Sequence, residues 1–277
     1  MNIGVLALHL DPSRSGVDAA VHALVKEWRT QADITLYYSR MNPAARLDGV
    51  NYVKLKGVPC YSFNVEAITS AWSWQKLALL GRASRHDLVY SAHPLFTPSD
   101  ALTVHFCGRD YLAILDEAGW GNTPTSWGRH LCHWVENRVA CAVERRVYGH
   151  VTPESPAFHV VSRSLGEALE RYYPGCRSKV IPNPVDVDRF SRRPDSQNVW
   201  ESVRSRMNWR HEAWRWIFVG GGWERKGLAQ VIEALSYEDP AVVLMVVGKG
   251  PVSMYESVAR RWGVEQRVFF CRTSRRH

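Results

Sequence analysis

The chain has 277 residues, 45% hydrophobic and 22% charged, with a formal net charge of +8, a balance ordinary for a globular protein and large enough for one big core or two modest ones. No apolar run approaches the roughly 20 residues that cross a bilayer. The six cysteines, at 60, 107, 132, 141, 176 and 271, contain no C-x-x-C pair, which excludes a zinc site or a secreted disulfide framework and leaves them reduced and structural.

Asn2 to Leu8 is a continuous apolar strand. A loop, His9 to Gly16, leads to a helix through Arg29 with Val17, Val21, Leu24, Val25 and Trp28 along one face. Ser15 and Asp18 form a capping-box pattern at its start. Strand, glycine turn and helix in this order open a parallel α/β sheet. Ile34 to Tyr38 and Tyr52 to Leu55 read as further strands, the tryptophan-rich Ile68 to Leu80 as a helix, and Leu88 to Ser91 as a short strand. Asp100 to Cys107 is an apolar strand delivering His105 to its carboxyl end, where open α/β sheets bind ligands. A histidine there is either a satisfied polar residue or one that hydrogen-bonds a ligand and moves a proton near neutral pH. His93, before Pro94, is a second candidate of the same kind.

Thr125 to Tyr148 is one long basic helix, with Trp127, Leu131, Trp134, Val135, Val139 and Val143 as apolar positions and Arg138, Arg145 and Arg146 among its charges. Its basic face is either solvated or rests on an anionic membrane or the phosphates of a lipid-linked acceptor. Phe158 to Ser162 and Leu165 to Tyr173 add a strand, a Ser-x-Ser turn and a helix, followed by Lys179-Val-Ile-Pro-Asn-Pro-Val-Asp-Val-Asp-Arg-Phe190. The Pro- and Arg-rich residues 191–212 read as a linker.

Trp216 to Val219 suit a buried strand, and Leu228, Val231, Ile232 and Leu235 recur at helical spacing. Between them stand Gly220, Gly221 and Gly222, which let a ligand approach the backbone, and then Arg225 and Lys226 beside the start of the helix. Cations there are unfavourable unless an anion sits nearby, and helix-opening amides hold phosphate well. The spacing is neither G-x-G-x-x-G nor a P-loop, since Gly227 is followed by Leu228 and Ala229. Ala241 to Val247, the turn Gly248-Lys-Gly-Pro251 and Gln266 to Phe270 complete the pattern.

These motifs resemble the retaining glycosyltransferases of group 1, a GT-B family that uses nucleotide-activated sugars. The resemblance runs from Met1 to about Phe270 and is strongest at 179–190 and 217–251, with Asp186 and Phe190 in place and Pro184 where the family has glycine. It implies an α/β fold of GT-B type, two Rossmann-like doubly wound parallel sheets with the second incomplete. The domains are expected at 1–190, acceptor-side, and 213–277, partial and nucleotide-sugar-binding, with 191–212 linking them. By the same resemblance, Gly220, Gly221, Gly222, Arg225 and Lys226 bind the donor's diphosphate, Gly16 and Ser15 line the family's interdomain cleft, and His105 stands near the transferred sugar. Read without it, Ser15 and Gly16 are an ordinary helix cap.

The residues from Ala213 to His277 are fewer than the roughly 100 to 150 of a full doubly wound domain. The family's acidic Glu-x7-Glu pair is absent from this stretch; Glu136 and Glu144 have that spacing but lie on the long helix, where eight residues simply repeat one face. The chain is therefore expected to be a shortened member of the family. The expected activity is transfer of a hexose-like sugar from a nucleotide sugar to a hydroxyl acceptor with retention, with no cofactor and no metal; the alternative is an inactive remnant or partner-binding subunit. The expected partners are the nucleotide sugar, a hydroxyl acceptor that is lipid-linked in one reading, and the membrane surface; nucleic acid has only charge behind it. Met1 leads directly into a strand without a basic signal peptide, so the expected location is cytoplasmic, with peripheral contact at the membrane's inner face if the basic helix serves that role.

Overall fold

The computed structural model describes residues 1–57, 63–117, 127–149, 151–152, 157–188, 190–191, 195, 198, 201–203, 205, 215–224 and 226–271. Arg225, most of the expected linker, and Thr125 and Ser126 at the expected start of the basic helix lie outside the described residues. The chain divides into two compact units, Met1–Asp186 and Val187–His277.

In the first unit seven strands pair in parallel: β1 (Asn2–Leu10), β2 (Asp33–Met41), β3 (Val50–Lys54), β4 (Leu88–Ser91), β5 (Ala101–Val104), β6 (Ala157–Val160) and β7 (Ser178–Val180). Their order is β3-β2-β1-β4-β5-β6-β7, so the chain reverses its direction of growth across the sheet at β1 and β4. In register, Val5 of β1 lies between Leu36 of β2 and Tyr90 of β4.

Strand β1 reads as an unbroken apolar run because both of its faces are covered. Val5 and Ala7 pack with Val21 and Val25 of helix α1 (Gly16–Trp28). Leu6 and Leu8 pack on the other face with Ala67, Ala71 and Trp74 of α2 (Phe63–Leu79). A separate cluster joins Leu102, Phe158, Leu169, Tyr148 and Tyr173, which seats α4 (Trp127–Tyr148) and α5 (Arg163–Tyr172) beside α3 (Gly108–Glu117).

Three local features differ from expectation. Helix α2 begins at Phe63, earlier than the tryptophan-rich pattern indicates. Strand β7 occupies the start of the Pro-Asn-Pro segment; three largely exposed residues leave no periodicity to read. At α1 only half of the capping box forms: Ser15 Oγ accepts the Asp18 N–H at 3.1 Å, while Asp18 Oδ2 has no partner among the described residues.

The second unit holds β8 (Arg215–Val219), β9 (Val243–Val247) and β10 (Val268–Cys271), parallel in the order β10-β9-β8, with α6 (Leu228–Ser236) and α7 (Val252–Arg261). Leu228, Ile232 and Leu235 of α6 bury against Leu244 and Val246 of β9, with Trp223 and Tyr255 in the same core. Strand β8 is an edge of this sheet, and its Ile217 and Val219 are 54% and 66% exposed. Among the described residues Cys107, Cys141, Cys176 and Cys271 form no disulfide. Among the described residues no helix is long and apolar enough to cross a membrane.

Candidate functional site

The carboxyl ends of β1, β4 and β5 open into a cavity of about 510 Å³. Each of these central strands brings a histidine to it: His9 from the end of β1, His93 from the turn after β4 and His105 from the residue after β5. The cavity thus unites the two histidines expected from sequence with a third that sequence reading had left in a loop. The signal was available, because His9 stands where the argument for His105 applies equally, at the end of an apolar parallel strand.

His9 is approached at both ring nitrogens. Arg14 Nη1 contacts Nδ1, and a guanidinium only donates, so Nδ1 accepts and Nε2–H faces Glu66 Oε1 at 3.3 Å. Glu66 is itself buried, and its Oε1 also accepts from Ser39 Oγ at 2.8 Å and Arg40 Nε at 2.7 Å. Burial lowers the His9 pKa, Arg14 lowers it further, and Glu66 opposes both. Burial also holds His93 down, to about 4, with His9 and His105 adding to the effect, and lowers His105. All three imidazoles are therefore neutral at pH 7, able to donate or accept a hydrogen bond. His93 Nδ1 accepts the Leu95 N–H at 3.3 Å, whereas His105 Nε2 is buried with no partner among the described residues. Among the described residues no group of three or more His, Cys, Asp or Glu is gathered closely enough to hold a metal ion.

Glu144, half of the pair with helix-repeat spacing, has a structural task. Its buried carboxylate accepts the Gly108 N–H at 2.6 Å and the Tyr173 O–H at 3.0 Å, tying the start of α3 and the end of α5 to α4. Burial raises its pKa against these hydrogen bonds. Gly16, the first residue of α1, has open space where a side chain would stand, with no atom within 4 Å.

In the second unit the glycine turn is built by close approach. Gly220 has φ 129° and Gly222 φ 65°, both in the range that favours glycine. The Lys226 ammonium occupies the position of a side chain at Gly220. The Trp223 indole N–H donates to Gly220 O at 2.8 Å, and Gly220 N–H donates to Val247 O at 2.8 Å, tying the turn to the end of β9. Gly250 lies flat against the Trp223 ring and Gly248 against the Gly220 carbonyl. Gly221, by contrast, would meet only Lys249 O, at 3.5 Å.

The turn leaves successive amides open. Among the described residues the N–H groups of Gly221, Gly222, Trp223 and Glu224 have no acceptor, while those of Lys226 and Gly227 bond back to Gly222 O and Glu224 O. Successive amides without acceptors are a feature that anion-binding turns use. Sequence reading had assigned this role to the helix start; Gly227, at φ 75°, separates turn from helix, and the Leu228 N–H is used by Trp223 O. Lys226 stands beside these amides, in the same turn.

Two Rossmann-like units, one with a cavity at its strand ends and one with an amide-lined turn, have the fold of the GT-B glycosyltransferases. Solved structures share it: WaaG, a glycosyltransferase involved in lipopolysaccharide biosynthesis, is 16% identical with a TM-score of 0.74, over 99% of this chain and 70% of that one. HepE from Anabaena, solved with UDP and glucose, is 17% identical with a TM-score of 0.62, over 98% of this chain and 68% of its own. A glycosyltransferase from Rickettsia africae is 11% identical with a TM-score of 0.60, over 99% and 68%. At these identities the likeness establishes the fold. The chain belongs to glycosyltransferase family 4, whose family model matches residues 14–189. No curated protein matches the sequence. The family assignment thus rests on the first unit, and the glycine turn lies beyond the matched residues.

Proposed function

We propose that this glycosyltransferase moves a hexose-like sugar from a nucleotide sugar to a hydroxyl on a cell-surface polysaccharide, lipopolysaccharide or glycolipid, with retention of configuration. The observation that carries the reading is the open amide run at Gly221 to Glu224 with the Lys226 ammonium beside it. In the reaction the bond from the anomeric carbon to the phosphate oxygen breaks, the diphosphate departs with the electron pair and takes up the acceptor hydroxyl's proton, and the acceptor oxygen bonds the anomeric carbon in its place. Fixed amide dipoles and a cation stabilise that charge without reorganising. Arg225 joins them by the family resemblance. His105, neutral and with no partner for Nε2 among the described residues, suits a hydrogen bond to a sugar hydroxyl. The donor is a substrate, and no cofactor enters the scheme. That HepE was solved with UDP and glucose supports a uridine nucleotide as the first donor to try. The arginines of α4 are the proposed contact with an anionic membrane.

A second reading, a subunit that binds a partner chain without turnover, is favoured by the exposed apolar side chains of β8. Calorimetric titration with UDP, GDP and ADP, beside an Arg225→Ala/Lys226→Ala variant, separates the two. Saturable nucleotide binding lost in the variant is expected, followed by sugar transfer whose product retains the donor's anomeric configuration by NMR. Absence of binding to all three nucleotides refutes the donor reading and leaves the partner subunit.

A further inference from the structure

Helices α3 and α4 leave a groove of about 610 Å³ between them, with Tyr172 of α5 also in its wall. That volume lies within the roughly 300–1,000 Å³ of small-ligand sites. The groove is separate from the cavity at the strand ends. Arg138, Cys141, Ala142 and Arg145 of α4 line the groove, whereas Val139, Ala140, Val143 and Glu144 line the cavity, on the opposite side of the same helix.

Three guanidiniums meet there. Arg138 and Arg145 stand two turns apart along one side of α4, and Arg109 enters from the first turn of α3. Burial and Glu144 raise the Cys141 pKa, and Arg109, Arg138 and Arg145 all act against that rise, which places the three cations near one thiol. Of the residues in the wall, Asp116 alone carries a carboxylate. Arg145 suits its place in the last turn of α4, where the helix dipole favours a cation; Arg109 stands at the wrong end of α3 for the same dipole. Glu144 attracts Arg109, but its two oxygens already accept from Gly108 N–H and Tyr173 O–H, and Asp110 lies 3.8 Å from Arg171. Among the described residues neither Arg109 nor Arg145 makes a salt bridge.

The chemistry of the wall narrows the occupant. Three guanidiniums against one carboxylate leave a surplus of two positive charges. A phosphate monoester carries close to two negative charges at pH 7, on oxygens that planar guanidiniums grip in pairs. Leu112, Ala113 and Ala142 share the wall, so the group esterified to the phosphate meets an apolar surface.

We infer that this groove binds a phosphate monoester with an apolar substituent, its phosphate held among Arg109, Arg138 and Arg145. The inference rests on the same arginines as the proposed membrane contact of α4, and it goes further by assigning them to a bounded site completed from a second helix. A membrane lipid and a soluble ester share this chemistry. The competing state is three solvated side chains that form only a diffuse positive field.

Dihexanoyl phosphatidic acid, kept monomeric, is titrated by calorimetry against the full chain at fixed ionic strength. The variants are Arg109→Ala, Arg138→Ala, Arg145→Ala, Ala142→Trp and, as a control on α4 outside the groove, Arg146→Ala, each checked for folding by circular dichroism. Saturable binding at one site is expected. It should weaken fivefold or more in each groove arginine variant and in Ala142→Trp, which fills the groove at unchanged charge, and change less than twofold in Arg146→Ala. Glycerol 3-phosphate, which lacks the apolar part, should bind at least tenfold more weakly. Absence of saturable binding, equal loss in Arg146→Ala, full affinity in Ala142→Trp, or equal affinity for glycerol 3-phosphate overturns the inference. Vesicles containing phosphatidic acid then identify the source. Binding with the same variant pattern indicates a lipid, and binding of the monomeric ester without vesicle binding indicates a soluble ligand; both uphold the site. Vesicle binding reduced equally by all four arginine variants keeps the general membrane contact and overturns the site. UDP affinity in the same samples reports on the donor turn separately.

Discussion

The Lys226 ammonium lies where a side chain at Gly220 would stand. Gly220 therefore does two things at once: it takes a φ of 129° and it leaves room for the cation. Gly220→Ala should cost about 1 to 3 kcal/mol through backbone strain and expel Lys226 from its place. Its nucleotide affinity should fall at least as far as that of Lys226→Ala, read by calorimetry. Gly221→Ala is the contrast. Its added methyl meets only Lys249 O at ordinary distance, so stability should stay within about 0.5 kcal/mol, and any loss of affinity reports a ligand against the backbone.

Trp223 organises the same turn from below. Its buried indole supports Gly220 O by a hydrogen bond, packs with Tyr255 and Phe270 at 5.4 and 5.6 Å, and leaves no space for a side chain at Gly250. Trp223→Phe should destabilise the second unit by about 1 to 3 kcal/mol, from a lost hydrogen bond and a cavity. Gly250→Ala should be at least as damaging, because the methyl enters the ring. Denaturant unfolding followed by circular dichroism should show the unit's transition moving to lower denaturant in both variants.

The His93 pKa of about 4 lies below the ordinary 6.5, so the unfolded chain takes up the proton first. Stability held by the neutral ring is complete above pH 6.5 and is lost as the pH falls from there through 4. At 1.36 kcal/mol per pKa unit over the span from 6.5 to about 4, the acid limb should be worth about 3 kcal/mol. Calorimetric melting between pH 7 and 4 should show it, and His93→Gln should flatten it.

Glu144→Ala leaves the Gly108 N–H and the Tyr173 O–H without their acceptor and should cost about 3 kcal/mol. Glu144→Gln should cost less, since its carbonyl oxygen still accepts from Gly108. The folded-state pKa of Glu144 is raised, so its protonated form contributes stability below the ordinary carboxylate value, and that contribution is lost as the pH rises through the raised one. Thermal melts across this range should show the slope in the parent chain and its absence in the Gln variant.

Much of the architecture was legible in local pattern. The two-sided burial of β1 writes an unbroken apolar run, and the stripe of Leu228, Ile232 and Leu235 marks α6. His105 could be singled out because strand ends are where parallel sheets present side chains. Glu66 and Tyr148 could not, because what makes them notable is burial beside residues far away in sequence. A glutamate near a helix start and a tyrosine at a helix end look ordinary until Ser39 and Arg40 are seen on the first, and Phe158 and Tyr173 are seen against the second. The glycine turn was legible in part. Its spacing announced tight backbone, but the Trp223 and Lys226 contacts that demand Gly220 and Gly250 are properties of packing.

Among the described residues strand β8 has no pairing partner along one edge, and its Ile217 and Val219 are exposed. Edges of this kind template pairing between molecules, and here neither proline nor lysine interrupts the strand. Light scattering should therefore rise with concentration, and an Ile217→Lys substitution should suppress that rise while leaving the first unit's melting unaffected.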